Sequence, residues 1–468
     1  MYGGHRQADL DSRVQAFPAA LDAATTSLQP GPTAAADKQA SHTAGGAAAS
    51  TSGRENLPQA QGCAVLKNMT LPQLEEWCLS LGERPQRAHQ LWRWMYYDGN
   101  WIRRIDDACG VPNGFSNAFR ETANELATVD GGLELLYVQK AGDGTRKMVF
   151  KLTSGEGAGS TVEAVVIPIV RGSGTKPRTT LCVSSQVGCA MNCQFCFTGR
   201  MGFRANLSAA QIVEQVVEAR RLLAAEAATE SAKQADQTAG KGSPARPDPI
   251  TNIVFMGMGE PFQNLDAVLR AVDIMCSPSG LHLSHNKISV STVGLVPEIR
   301  RFCESSRAQL AVSLHATTNQ VRDWIAPVNR RWPLETLVAT LEEYFPRHAA
   351  SSPHGRHVLI EYVMLRGVND TLEDAHRLLK LLANVECKIN LIVFNPHQGT
   401  RFRASELDQV TAFRSIVIQG GRVCTVRDSR GDDEMAACGQ LGALAGSPHA
   451  PPILEPPERF KAALAPVA

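Results

Sequence analysis

Cys189, Cys193 and Cys196, spaced C-x3-C-x2-C directly after an apolar run, constrain this chain more than any other stretch. Structural zinc sites and ferredoxin clusters draw four ligands from the protein. A compact trio therefore points to a metal centre whose remaining position is filled by something else, and an open position serves chemistry. Two plainer readings compete. One is three unrelated buried thiols, since unpaired cysteine is among the most buried residue types; the other is structural zinc with a distant fourth ligand. The tight spacing favours the open centre over both.

With 468 residues, 43% hydrophobic and 20% charged, the chain is long enough for two or three domains with a sizeable core. No run approaches the ~18 apolar residues of a membrane span, so no membrane partner is expected. The net charge of +1 means that a nucleic-acid partner must be met by local basic patches and not by a global field. Twelve cysteines in a chain of this size, without a signal-peptide apolar region, fit a reducing compartment. Seven of them, Cys63, Cys78, Cys109, Cys276, Cys303, Cys387 and Cys424, read as packing residues.

Residues 1–60 are rich in Ala, Ser, Thr, Gly and Pro and read as a disordered leader. Asp9, Asp11, Asp22 and Asp37 make it more acidic than an organelle transit peptide usually is, so a cytoplasmic location is expected. A plastid or another organelle is the alternative if the leader is such a peptide. Residues 61–130 read as a small helical domain, with Thr70 as an N-cap. Its second segment interleaves Arg84, Arg87, Arg93, Arg103 and Arg104 with Trp92, Trp94, Tyr96, Tyr97 and Trp101, a mixture that grips phosphates and stacks on bases. The competing reading puts the aromatic stripe in the domain's own core and the arginines in solvent.

Residues 131–178 form a short β extension, in which Glu163 opens an apolar strand. Such a carboxylate is normally an edge residue, and becomes a proton acceptor only if it points into a cleft. From 179 to 430 the pattern settles into strand, loop, helix, repeated six times, with strands at 180–183, 253–256, 288–290, 310–314, 358–364 and 391–394. That α/β rhythm implies a parallel sheet curled into a partial (β/α)6 barrel. Residues 226–249 read as a flexible insertion and 446–468 as a disordered tail. Functional groups of such barrels gather where strands end. Here the ends lead to the cysteine trio, to Gly257-Met258-Gly259-Glu260-Pro261, to Ser291-Thr292, to Ser313-Leu314-His315 and to Asn395-Pro396. Each alone is weak; together on one rim they form a site.

With an aromatic residue before its last cysteine, the trio resembles the cluster motif of the radical SAM superfamily. Residues 66 to about 445 further resemble the RlmN/Cfr family of radical SAM RNA methyltransferases. The matching stretches are T-L-C-V-S-S-Q-V-G-C at 180–189, G-M-G-E-P at 257–261, S-L-H-A at 313–316, E-Y-V-M-L-x-G-V-N-D at 361–370 and R-G-D-D-x-x-A-A-C-G-Q-L at 430–441.

By that resemblance Cys189, Cys193 and Cys196 hold three irons of a [4Fe-4S] cluster, and S-adenosylmethionine chelates the fourth. Gly259, Glu260, Ser291, Ser313, Leu314, His315 and Asn395 hold S-adenosylmethionine, two of which are used per turnover. Cys438, in a loop spanning 431–445, is the methyl-carrying thiol, Cys182 the thiol that resolves the intermediate by disulfide formation, and Glu163 the general base. The implied product is 2-methyladenine in large-subunit ribosomal RNA, with transfer RNA as a further candidate substrate. An electron donor such as flavodoxin or ferredoxin and a monomeric enzyme are expected. Methylation at carbon 8 is the alternative within the family. An iron–sulfur electron carrier would not need Cys182, Cys438 or the rim, and a non-catalytic RNA-binding homologue should lack at least one of them. Phe197, where many bacterial members have Ser, and the extra loop at 171–176 depart from the family pattern without removing any implied ligand or thiol.

Overall fold

The computed structural model describes residues 63–97, 99–111, 114–169, 178–237, 250–347, 356–427, 430–431, 434–442 and 450–464, the side chains of 233–237 excepted. The leader and the 171–176 loop lie outside them. All described residues belong to one compact unit.

The chain enters with β1 (Ala64–Val65), followed by α1 (Leu71–Ser80), α2 (Gln86–Tyr96), α3 (Asn117–Leu126) and β2 (Ala127–Thr128), which pairs in parallel with β1. Thr70 caps α1 as expected, in a capping box with Gln73. The aromatic stripe divides. Trp92 and Tyr96 are fully buried and meet edge to face with centroids 4.8 Å apart, whereas Tyr97 is exposed beneath the Arg93 guanidinium. The core reading therefore holds for the inward pair, because α2 keeps one face toward α1 and the barrel.

The antiparallel strands β3 (Leu133–Lys140), β4 (Arg146–Leu152) and β5 (Thr161–Ile169) lead directly into β6 (Arg178–Cys182). A hairpin of β7 (Gln186–Cys189) and β8 (Gly202–Asn206) follows, then α4 (Ala209–Gln237) and β9 (Ile250–Phe255). The alternation continues through α5 (Leu265–Cys276), β10 (Ile288–Thr292), α6 (Val296–Ser305) and β11 (Gln309–Ser313). It closes with α7 (Asn319–Ile325), α8 (Leu334–Tyr344), β12 (Val358–Met364), α9 (Leu372–Leu381), β13 (Cys387–Val393), α10 (Leu407–Gln419) and β14 (Val423–Arg427).

One ten-stranded sheet results, in the order β14-β13-β12-β11-β10-β9-β6-β5-β4-β3. From β6 through β9 to β14 every neighbouring pair is parallel, giving the curled α/β sheet of the expected barrel. The β extension is thus the antiparallel continuation of the same sheet. β14 adds a seventh parallel strand beyond the six read from the sequence.

Two expectations are corrected. Residues 226–237 are not a flexible insertion but the end of α4, as their run of Ala, Glu, Gln and Lys, all good helix formers, allows; 238–249 lie outside the described residues. Residues 450–464 are not a disordered tail: Phe460 and Leu464 are buried against the barrel, giving a Pro-rich segment apolar anchors. Among the seven presumed packing cysteines, Cys63 is exposed, and Cys109 and Cys276 are half-buried.

The helical region is fixed to α4 by charge. Lys67, fully buried, pairs with Glu214, while Arg221 reaches Glu214, Glu218 and the carbonyls of Trp101 and Ile102. Removing one partner of the Lys67–Glu214 pair would strand a buried charge at a cost of about 3–5 kcal/mol. Among the described residues no helix is long and apolar enough to cross a membrane.

Candidate active site

The parallel strands end around a cleft with about 990 Å3 of open space. Cys189, Cys193, Cys196, Gly259, Glu260, Ser291, Ser313, His315, Asn395 and Cys438 all line it. The sequence-expected rim therefore assembles, with one exception. Leu314 is fully buried in the core; its N–H bonds Glu361 O at 3.0 Å and its carbonyl accepts from Arg322 Nε at 2.9 Å. A strand-end leucine between a serine and a histidine that face the cleft has to point the other way.

The trio sits on a shaped loop. Gly188 has φ +72°, and a Cβ there would lie 1.8 Å from Gly202 O, so the β7–β8 hairpin closes only around glycine. Gly259 repeats the logic at φ +99°, where a Cβ would meet Gln186 Cβ at 2.5 Å, and its absence lets the Gly-rich turn lie against β7. Burial pushes all three thiols upward in pKa. For Cys193 the neighbouring Cys189, Cys196 and Glu260 add to this, while Arg322 opposes it.

Among the described residues no three His, Cys, Asp or Glu side chains converge tightly enough for a single metal ion. Three thiols lining one wall of the cleft suit a cluster in which each binds a different iron. The donor set fits the [4Fe-4S] group, which Cys189, Cys193 and Cys196 would hold.

The rim residues are held from behind. Glu260 accepts from Phe262 N–H at 3.1 Å and Val293 N–H at 2.9 Å, and burial outweighs these bonds to lift its carboxyl to about 7. His315, at φ +59°, accepts the Val363 N–H at Nδ1 at 3.0 Å and stands edge-on to Phe195. Burial, with Arg322 nearby, lowers it to about 3, so the ring is neutral at working pH with its proton on Nε2. Arg322, fully buried, donates to carbonyls of Val293, Ser313 and Leu314 and so ties the ends of β10 and β11 together.

A second, smaller cavity adjoins the cleft and is lined by Cys182, Cys438, Met256, Asn395 and Arg427 among others. Cys438 is thus shared by both. Its loop is bonded on three sides: Asn395 Nδ2 to Cys438 O at 3.3 Å, Phe197 N–H to Gly439 O at 2.8 Å, and Gly442 N–H to Glu163 Oε2 at 3.2 Å. Strand register explains Glu163: Val165 lies opposite Cys182, so Glu163, two residues before it on β5, shares that face. Burial raises the Glu163 carboxyl, with Lys147 and the Gly442 N–H opposing. Cys182 is pushed up to about 12, chiefly by burial and then by Cys438. Cys182 and Cys438 are both free thiols here.

Two residues at this junction were not singled out from the sequence. Glu361, buried on β12, lines the cleft; Asn390 Nδ2 donates to both its oxygens at 3.2 and 3.1 Å, and Thr425 Oγ1 donates to Asn390 Oδ1 at 2.9 Å. Arg427 ends β14 beside the two thiols. Burial alone would lower its guanidinium, but Cys438, Glu361 and Cys182 more than offset this and raise it. The signal was present in the sequence as a lone charge inside the apolar strand for Glu361, as for Glu163, and as the charge that ends β14 for Arg427.

Fold and cleft together define a radical SAM enzyme, and residues 183–382 match the model of the Radical SAM superfamily. Residues 65–101 match the ribosomal RNA large subunit methyltransferase N-terminal domain. The chain is 44% identical over 382 residues to the dual-specificity RNA methyltransferase RlmN of Syntrophobacter fumaroxidans, covering 81% of this chain and 98% of that one. It is 40% identical to its counterpart in Geotalea uraniireducens, over 80% and 96% of the two chains. A crystal structure of a radical SAM methyltransferase from Sphaerobacter thermophilus aligns with TM-score 0.66 and 36% identity over 81% of this chain and 99% of that one. The chain belongs to the RlmN family of radical SAM RNA methyltransferases, and its cofactors are a [4Fe-4S] cluster and S-adenosylmethionine.

Proposed function

We propose that this enzyme methylates carbon 2 of an adenine in large-subunit ribosomal RNA and in transfer RNA, with Cys438 carrying the methyl group. The description of its relatives as dual-specificity RNA methyltransferases supports two kinds of RNA substrate. The observation that carries the reading is the position of Cys438 in the wall between two cavities, the cluster-side cleft on one side and the Cys182 cavity on the other. A thiol that must first meet S-adenosylmethionine and later a second thiol needs such a place.

The bound cofactors supply one-electron chemistry able to activate a methyl group toward an aromatic carbon that is no nucleophile. The chain's own residues do the rest. Cys189, Cys193 and Cys196 anchor the cluster. Gly259, Glu260, Ser291, Ser313, His315 and Asn395 orient S-adenosylmethionine against it. Arg427 favours the thiolate of Cys438, which is the nucleophilic form. Glu163, its carboxyl raised by burial, takes the ring proton as a base poised closer to neutrality than an exposed glutamate. Cys182 then attacks the Cys438 sulfur, forming their disulfide as the bond from that sulfur to the transferred carbon breaks; the carbon keeps the electron pair, takes a proton and leaves as the methyl group of the product. Electrons come from a small donor of the flavodoxin or ferredoxin type, and the enzyme works as a monomer.

The test is mass spectrometry of nucleosides from ribosomal and transfer RNA incubated anaerobically with reconstituted protein, S-adenosylmethionine and a reductant. 2-Methyladenosine should form with the native chain and vanish with Cys438→Ala. Formation of 8-methyladenosine, or no methylated adenosine on either RNA, would overturn the assignment.

A further inference from the structure

The segment Ala450–Leu464 does more than pack on the barrel: two of its backbone groups bond to side chains inside the cysteine loop itself. Asn192 Nδ2 donates to Pro452 O at 3.1 Å, and Leu454 N–H donates to Gln194 Oε1 at 2.8 Å. Asn192 and Gln194 flank Cys193 directly. They are also bonded to each other, Gln194 Nε2 donating to Asn192 O at 2.7 Å and to Asn192 Oδ1 at 2.9 Å, and Arg200 Nη1 reaches the same Oδ1 at 3.3 Å. Asn192 stands at φ +51°, a left-handed conformation that asparagine adopts more readily than other residues with a side chain.

The segment is anchored where these bonds are made. Trp324 Nε1 donates to Leu454 O at 3.3 Å, and the Trp324 ring stacks on Phe460 with centroids 5.6 Å apart. Trp324 lies on α7, and Ile325 O next to it accepts the Gln194 N–H at 2.9 Å. The loop around Cys193 is therefore clamped between α7 and the C-terminal segment.

We propose that Ala450–Leu464 is a positioning strap for the cluster: by fixing Asn192 and Gln194 it holds the Cys193 thiol in its ligating place and limits opening of the loop to oxygen. This rests on the reading of Cys189, Cys193 and Cys196 as cluster ligands. The strap acts through bonds that neither the three thiols nor the S-adenosylmethionine rim supplies.

The Leu454 N–H offers a clean test in the full chain, because Leu454→Ala keeps that donor and trims the side chain whereas Leu454→Pro removes the donor. Each protein is reconstituted anaerobically with iron and sulfide, iron per chain is counted, and the loss of cluster absorbance is timed after exposure to air. Losing one hydrogen bond of ordinary strength raises the opened population about fivefold, so Leu454→Pro should bleach about fivefold faster than the native protein and Leu454→Ala at nearly the native rate. In a Gln194→Met background, Leu454→Pro should add nothing, since both variants break the same contact. Bleaching of Leu454→Pro at the native rate, or fully additive effects with Gln194→Met, would overturn the strap. The ligand reading fails separately, if Cys193→Ala assembles a full and equally durable cluster.

Discussion

The cysteine trio and the Cys182–Cys438 pair are both sulfur sites at the cleft, yet they are built in opposite ways. The trio is local: three thiols on one loop, shaped by Gly188 at the entrance and clamped by α7 and the C-terminal strap. The pair is assembled from β6 and from a loop beyond β14, and exists only because the sheet curls. The charges differ too. Arg322, the cation acting on Cys193, spends its donors on carbonyls where β10 and β11 end and on Asn329 Oδ1, whereas Arg427 faces both thiols of the pair. A local site can be specified by spacing, and a distributed one needs the whole barrel. The trio is therefore suited to holding a group permanently, the pair to making and breaking a bond between two separately supported elements.

The largest expected effect separates the two sites outright. Cys193→Ala should abolish cluster assembly, read as iron and sulfide per chain, and with it all methylation, while leaving alkylation of the Cys438 thiol as it is in the native iron-free protein. If alkylation of Cys438 is lost as well, the two sites are not independent and the comparison breaks.

This difference also governs what the sequence could reveal. The trio, the strand-end rim and the parallel sheet were legible because each is written in short spacing or a repeated period. Thr70 was legible as an N-cap for the same reason, and its N–H meets Gln73 Oε1 at 2.9 Å. Without the family likeness, Cys182 would pass as a buried strand residue and Cys438 as a thiol in a Gly-rich loop, since nothing local links β6 to residue 438. Glu361 and Arg427 were missed because a single charge inside or at the end of a strand is ambiguous until its partners converge. The strap was misread for a different reason: proline-rich composition suggested disorder, and the anchoring partner of Phe460, Trp324, is distant in sequence.

A smaller effect is expected on the resolving half of the pair. Cys182→Ala should keep a full cluster and still allow methyl transfer to begin, but without a partner thiol Cys438 should stay joined to the RNA. Denaturing electrophoresis should then show RNA retained on the protein, and multiple turnover should be lost. Cys438→Ala should show neither product nor retained RNA. Free release of product by Cys182→Ala at the native rate would mean that the small cavity shared by the two thiols is only a packing feature.

The smallest effect sharpens the electrostatic side of the comparison. The Cys438 thiol is raised by burial and lowered by Arg427. Only the thiolate reacts with an alkylating reagent, so the rate at a fixed pH follows the deprotonated fraction. Arg427→Met removes the lowering influence, the pKa of Cys438 rises, and the thiolate fraction at any pH below it falls. Alkylation of Cys438 in the iron-free protein should therefore slow, and its pH profile should move toward higher pH. A move of one pH unit corresponds to about a tenfold slower reaction on the acid side. Arg427→Lys, which keeps the charge, should recover most of the native profile. The same pair of variants should leave alkylation of Cys193 unmoved, because the cation acting on that thiol is Arg322. Equal displacement of both profiles would mean that the cleft and the small cavity share one electrostatic environment, and that Arg427 does not distinguish the pair from the trio.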